Sequence, residues 1–144
     1  MIVLDTNVLS EVLRSRPAPQ VLAWMNGLRA STVYVSSVTQ AEMLLGVALL
    51  PAGKRRDALG AQVASLFSQH FTNRCLPFDA LAAPHYARIV SSRMRAGRPI
   101  HTEDGQIAAV ACSRGYGVAT RNVADFSGIP DLRIINPWEA AQRK

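Results

Sequence analysis

The sequence predicts an α/β/α sandwich: a central parallel sheet of about five strands with helices on both faces. Three observations lead to it. Short apolar runs alternate with longer stretches of helical periodicity, and Gly115 and Gly117 punctuate the joint between the last long helix and the strand after it. No repeat, low-complexity tract or linker divides the chain, so residues 1–144 are expected to form a single domain. Strands alternating with helices imply right-handed βαβ crossovers and a sheet buried on both sides.

The elements follow in order. Ile2–Leu4 reads as a first strand, with helices over Thr6–Ser15 and Pro19–Gly27 behind it. Val33–Ser36 is the second strand, followed by helices over Val38–Leu49 and Arg56–His70. Cys75–Pro77 is the third, Tyr116–Thr120 the fourth and Leu132–Ile135 the fifth, with helices over Pro84–Ala96 and Glu103–Ser113 between the third and fourth. A chain of 144 residues has room for a full core, since at about this length roughly 68–70% of the unfolded surface is buried.

Composition narrows the class. The chain is 49% hydrophobic and 18% charged, which suits a folded globular protein and excludes a disordered one. No apolar run is long enough to span a bilayer, and the longest, around Met43–Ala52, holds Gly46 and Pro51. No basic segment with an apolar stretch precedes the first strand, so a cytoplasmic location and no membrane contact are expected. Cys75 and Cys112 lack metal-type spacing and read as reduced core thiols. The formal charge of +6, almost all of it arginine, favours a polyanionic partner.

Against that basic background the ten carboxylates stand out by position. Asp5 follows the first strand and opens a helix, the place of an Asx turn or N-cap, and also the place where open α/β sheets bind ligands. Glu42 fits a capping box in Thr39-Gln40-Ala41-Glu42, yet shares an apolar helical stripe with Val38, Leu45 and Leu49. Asp104 sits in a first helical turn that Thr102 would cap, on the face of Ile107, Ala108 and Ala111, while Glu103 points to water. Thr120, Asn122 and Asp125 form the turn after the fourth strand. Asp5, Glu42 and Asp104 thus map to one edge of the sheet. Two unit charges about 4 Å apart repel by about 4 kcal/mol at an effective dielectric of 20, so such a cluster raises its pKa values or binds a cation. All-oxygen ligation suits Mg²⁺ or Mn²⁺, and metal-assisted phosphodiester hydrolysis is the chemistry it serves.

"LDTNVLSE", "SSVTQAEMLLGV", "DGQIAAVA" and "VATRNVADF", in this order, resemble a PIN-domain ribonuclease, with the nearest likeness to the VapC and FitB-type toxins of bacterial toxin–antitoxin pairs. The closing "FSGIPDLRIINPWE" looks like the FitB branch. The resemblance implies Mg²⁺-dependent RNA cleavage, a homodimer, and a small DNA-binding antitoxin that blocks the site. It implies Asp5, Glu42 and Asp104 as the acidic ligands, with Thr6 and Asn7 orienting the first aspartate. Relatives often carry an aspartate where this chain has Asn122; Asn122 is favoured here as a water-mediated contact, and Asp125 as a helix or turn residue.

Rival readings fare worse. A receiver-like phospho-acceptor needs a lysine after a strand, and Lys54 and Lys144 are not so placed; a dehalogenase-type phosphatase needs a second aspartate where Asn7 stands. Glycine-rich nucleotide-binding motifs are missing. The alternative of a different kind is an inactive PIN-fold binding subunit. His70, His85 and His101 are dispersed and are not expected to ligate. The "GKRRD" stretch and Arg93, Arg95 and Arg98 read as solvated surface, and Trp24 and Trp138 as packing residues.

Overall fold

The computed structural model describes residues 1–139. Five short strands, β1 (Ile2–Leu4), β2 (Val33–Ser36), β3 (Cys75–Leu76), β4 (Gly117–Ala119) and β5 (Ile134–Ile135), pair in parallel throughout, in the order β3-β2-β1-β4-β5. The seven α-helices among the described residues are α1 (Thr6–Val12), α2 (Pro19–Asn26), α3 (Ser37–Ala48), α4 (Lys54–Ser65), α5 (Ala83–Arg95), α6 (Thr102–Arg114) and α7 (Val123–Phe126). β1 is central. The chain winds outward through β2 and β3 on one side of it, then returns to lay β4 and β5 on the other. That reversal creates a crevice beyond the carboxyl ends of β1 and β4, where parallel α/β sheets hold ligands.

The pleat assigns each strand residue to one of two cores. Ile2 and Leu4 join Val8, Leu9, Val21, Val33, Val35, Met43 and Val63 on the face covered by α1 to α4. Val3 and Val118 turn the other way, against Ile89 of α5 and Ile107 to Ala111 of α6. Val3, Leu4, Val8 and Ile107 are fully buried, each contributing about 1.5–3 kcal/mol by leaving water. The double-sided burial explains why β1 and β4 are uniformly apolar rather than alternating.

Two details place the crevice. Gly105 lies where α6 crosses α5: an added Cβ would sit 3.1 Å from Val90 and 3.3 Å from Tyr86, so glycine permits the approach that sets the first turn of α6. At the other end of α6, Gly115 takes the left-handed conformation (φ 71) and turns the chain into β4.

Several boundaries differ from the sequence expectation. α1 ends at Val12, before Ser15, because Glu11 folds back: it is 6% exposed, accepts the Ala18 N–H at 3.2 Å and pairs with Arg14 at 3.3 Å. The helix expected over Arg56–His70 starts at Lys54 and widens at Leu66 into an i→i+5 turn, closed by the Phe71 N–H on the Leu66 carbonyl at 3.0 Å. That turn delivers the buried Phe71 side chain to the α1–α4 core. The N-caps of α3 and α6 are also shifted. Ser36, not Thr39, caps α3, its hydroxyl accepting the Thr39 N–H at 3.1 Å; His101, not Thr102, occupies the N-cap of α6.

Candidate active site

The site grows from the end of β1. Asp5 is 3% exposed and accepts three hydrogen bonds: the Thr6 N–H on Oδ1 at 2.7 Å, and on Oδ2 the Asn7 amide at 2.9 Å and the Thr120 hydroxyl at 2.8 Å. Asp5 is thus both the N-cap of α1 and a carboxylate held in the crevice; one residue does both because the helix starts where the strand ends. A carboxylate has about four acceptor sites, so three donors fix its orientation and leave about one free. Burial nevertheless dominates its titration, pushing the Asp5 carboxyl above its ordinary value despite these donors.

Thr6 joins Asp5 to the next acid. Its N–H serves Asp5 while its hydroxyl donates to Glu42 Oε1 at 2.7 Å. This replaces the capping-box role expected of Glu42. Because α3 begins at Ser37, Glu42 stands in its second turn and turns across to α1, not back to its own cap. Thr39, fully buried, lies 3.1 Å from the Thr6 hydroxyl and supports the pair from below. Burial raises the Glu42 carboxyl, and the charges of Asp5 and Glu103 raise it further.

Asp104 enters from the first turn of α6, half-buried and next to Gly105, while Glu103 is exposed as the helical spacing predicts. Its carboxyl is pushed up to about 6, by burial first, then by the charges of Asp5 and Asp125; the neighbouring His101 opposes the shift and Glu42 adds to it. Asp5, Glu42 and Asp104 therefore lie within one another's fields, and the charge of Asp125 reaches Asp5 and Asp104. None forms an ion pair among the described residues.

The turn after β4 closes the ring. Thr120 is fully buried, and its oxygen also accepts the Asn122 N–H at 3.0 Å. Asn7 carries the frame across, its side-chain oxygen Oδ1 accepting the Arg121 backbone N–H at 3.1 Å. The Asn122 side chain is exposed and contributes through its backbone alone, whereas Asp125 is half-buried in α7 and raises both Asp5 and Asp104. Asp125 is a helix residue, as expected, and its charge reaches the two acids across the crevice. Arg93, expected to be solvated, is 8% exposed and donates to the carbonyls of Asp125 at 2.7 Å and Ser127 at 2.8 Å. Its helical spacing from Tyr86 and Ile89 was the signal for burial. Cys75 and Cys112 are free and half-buried, and burial raises both thiols.

Among the described residues no three acidic, histidine or cysteine side chains stand close enough to enclose an ion alone. The donor set is all oxygen and carries excess negative charge, which fits a cation that keeps several waters, as Mg²⁺ does, and not one needing a closed nitrogen or sulfur cage. Beside Thr6 and Glu42 a groove of about 320 Å³ opens between α1, α3 and α4, floored by Met43, Val47 and Leu59 and rimmed by Arg14 and Arg55. A cavity of about 420 Å³ between α5, α6 and residues 128–131 shares no residue with the acidic cluster.

Fold and site together define a parallel α/β protein whose switch point is an all-oxygen acidic crevice under a hydroxyl and amide collar. The PIN domain family matches residues 2–131. The VapC ribonuclease Y4jK of Sinorhizobium fredii is 42% identical over 98% of this chain and 100% of its own, and the toxin FitB of Neisseria gonorrhoeae 43% identical over 96% and 99%. The solved structure of FitAB bound to an IR36 DNA fragment covers 96% of both chains, with a TM-score of 0.89 at 43% identity. The chain belongs to the PIN-domain family, in its VapC and FitB toxin branch.

Proposed function

We propose that this protein is a Mg²⁺-dependent endoribonuclease toxin of a type II toxin–antitoxin pair, with Mn²⁺ as an alternative metal. The observation that carries the reading is the convergence of Asp5, Glu42, Asp104 and Asp125 at one switch point, where burial raises the carboxyls of Asp5, Glu42 and Asp104 and none of the four has an ion-pair partner among the described residues. Asp5 and Asp104 are the primary metal ligands, Glu42 a ligand directly or through water, and Asp125 the fourth acidic group. A divalent ion held there supplies a Lewis acid for the phosphodiester and lowers the pKa of a water. Thr6, Asn7 and Thr120 hold the Asp5 carboxylate in one orientation, and Thr6 fixes Glu42 relative to it. Incubation of a mixed RNA pool with Mg²⁺, Mn²⁺ or EDTA tests the reading: cleavage should need the metal and vanish in Asp104→Asn. Equal cleavage by that variant would favour the inactive binding-subunit alternative.

One similar solved structure, VapBC-5 of Mycobacterium tuberculosis, is a member of the VapBC family of toxin-antitoxin systems. For this chain the groove beside Glu42 fits an antitoxin peptide with an apolar anchor and a basic side chain that pairs with the carboxylates. Homodimerisation has apolar surface available on α3 and at its C-cap, where Leu45 is 57% and Leu49 75% exposed. Among the described residues no helix is long and apolar enough to cross a membrane. Growth arrest on expression, relieved by the neighbouring small protein, is the matching cellular test.

A further inference from the structure

A polyanion cannot approach four carboxylates without a cation to meet it, and one arginine is placed to do so. Arg121 follows Thr120 directly, and its N–H is bound by Asn7, the residue that also holds Asp5. Its backbone is therefore fixed to the frame of the site. Its side chain is exposed, forms no ion pair with the acids, and lies with its guanidinium carbon 4.9 Å from the centre of the Trp138 ring. Trp138 is itself held: its backbone N–H donates to the Asn136 side-chain oxygen at 3.0 Å, and its ring packs on the core of the α1–α4 face. Stacking occupies the face of a guanidinium and leaves its edge of N–H donors free for a bidentate anion.

We propose that Arg121 binds a backbone phosphate of the RNA strand next to the scissile phosphodiester, and that Trp138 is a positioning residue that holds the guanidinium off the carboxylates and ready for it. The inference rests on the ribonuclease reading above. The cost it addresses is electrostatic: the stack prevents Arg121 from collapsing onto Asp5 and Asp104, where it would compete with the metal and be lost to the substrate. It also gives Trp138 a role beyond the packing expected of it.

The test measures binding of a short single-stranded RNA of mixed sequence across a salt series, with Asp104→Asn as the non-cleaving parent. Arg121→Ala should weaken binding about tenfold at low salt and reduce the slope of log affinity against log salt by about 0.7, the value for one phosphate contact on a single strand. Arg121→Lys should restore the slope with part of the affinity. Trp138→Leu should keep the slope and lose about threefold in affinity, because the charge remains but its position does not. Arg121→Ala matching the parent in both slope and affinity overturns the proposal, as does a slope that Arg121→Lys fails to restore. A parent that binds no RNA overturns the ribonuclease reading along with it, so the two failures are distinguishable.

Discussion

The two halves of the crevice are built on different physics. On the β1 side, Asp5 is almost wholly buried and tied by three donors from Thr6, Asn7 and Thr120. On the α6–α7 side, Asp104 and Asp125 are half-buried, and among the described residues no side-chain hydrogen bond restrains either carboxylate. The first half spends its polar contacts on geometry and the second leaves its charge bare. Fixing one ligand while leaving others adaptable suits a hydrated cation and a substrate that must both enter and leave.

Substituting one acid from each half should separate these roles most sharply. Asp5→Ala and Asp104→Asn should each cut metal-dependent RNA cleavage by at least about 10²-fold. Their stabilities should move in opposite directions. Asp5→Ala removes a helix cap and strands buried donors, a loss of about 2–3 kcal/mol; Asp104→Asn removes repulsion and should raise the melting temperature of the metal-free protein. Equal destabilisation by both would erase the contrast.

Within the α6–α7 half, Asp125→Asn should reduce activity by about tenfold or more, on the scale of groups that tune a metal site. Asn122→Ala, at an exposed side chain that touches none of the acids, should change it by less than about twofold. Rate measurements over a Mg²⁺ titration distinguish them, and a reversed order would return the fourth position to Asn122. Gly105→Ala should then cost about 1–3 kcal/mol by forcing α6 from α5, with some loss of activity as Asp104 shifts. A thermal melt checks the first part.

The smallest effect is a pH dependence. The Asp104 carboxyl rises from 3.8 to about 6 on folding, so the folded state holds this proton more tightly. Its stabilising contribution is fully present below about 3.8 and is lost as pH rises through about 6. For a half-exposed group, solvent screening leaves about 1 kcal/mol of this. The metal-free protein should therefore lose melting temperature between about pH 4 and pH 7 through this group. Asp104→Asn should flatten that part of the profile, and Mg²⁺ should oppose it by favouring the charged form.

Much of this arrangement was legible in residue order. A strand rich in β-branched and apolar residues that ends in Asp5-Thr6-Asn7 places a carboxylate at a sheet edge, because period and polarity change together there. Asp104 and Glu103 were separable by helical spacing alone. What local pattern missed were two side chains that answer to a partner from another element. Thr39 and Glu42 match a capping box at the right spacing, but Ser36 caps the helix three residues earlier and Glu42 answers to Thr6 of α1. Arg93 belonged to an apparently solvated run until two carbonyls of the α7 segment came to meet it.

The sequence by itself determined the parallel α/β class, the strand ends that carry the acids and the all-oxygen character of their side chains, since these follow from local periodicity and residue type; the strand order came from the tertiary structure. Only the tertiary structure decided which acid is restrained and which is bare, that Asp125 couples to the cluster where Asn122 does not, and that Arg121 rests on Trp138. Those outcomes depend on distances between α1, α3, α6 and the turns after β4 and β5, which pack together only when the sheet closes. Hydrogen bonds and burial act across that space, over separations along the chain that no local pattern records.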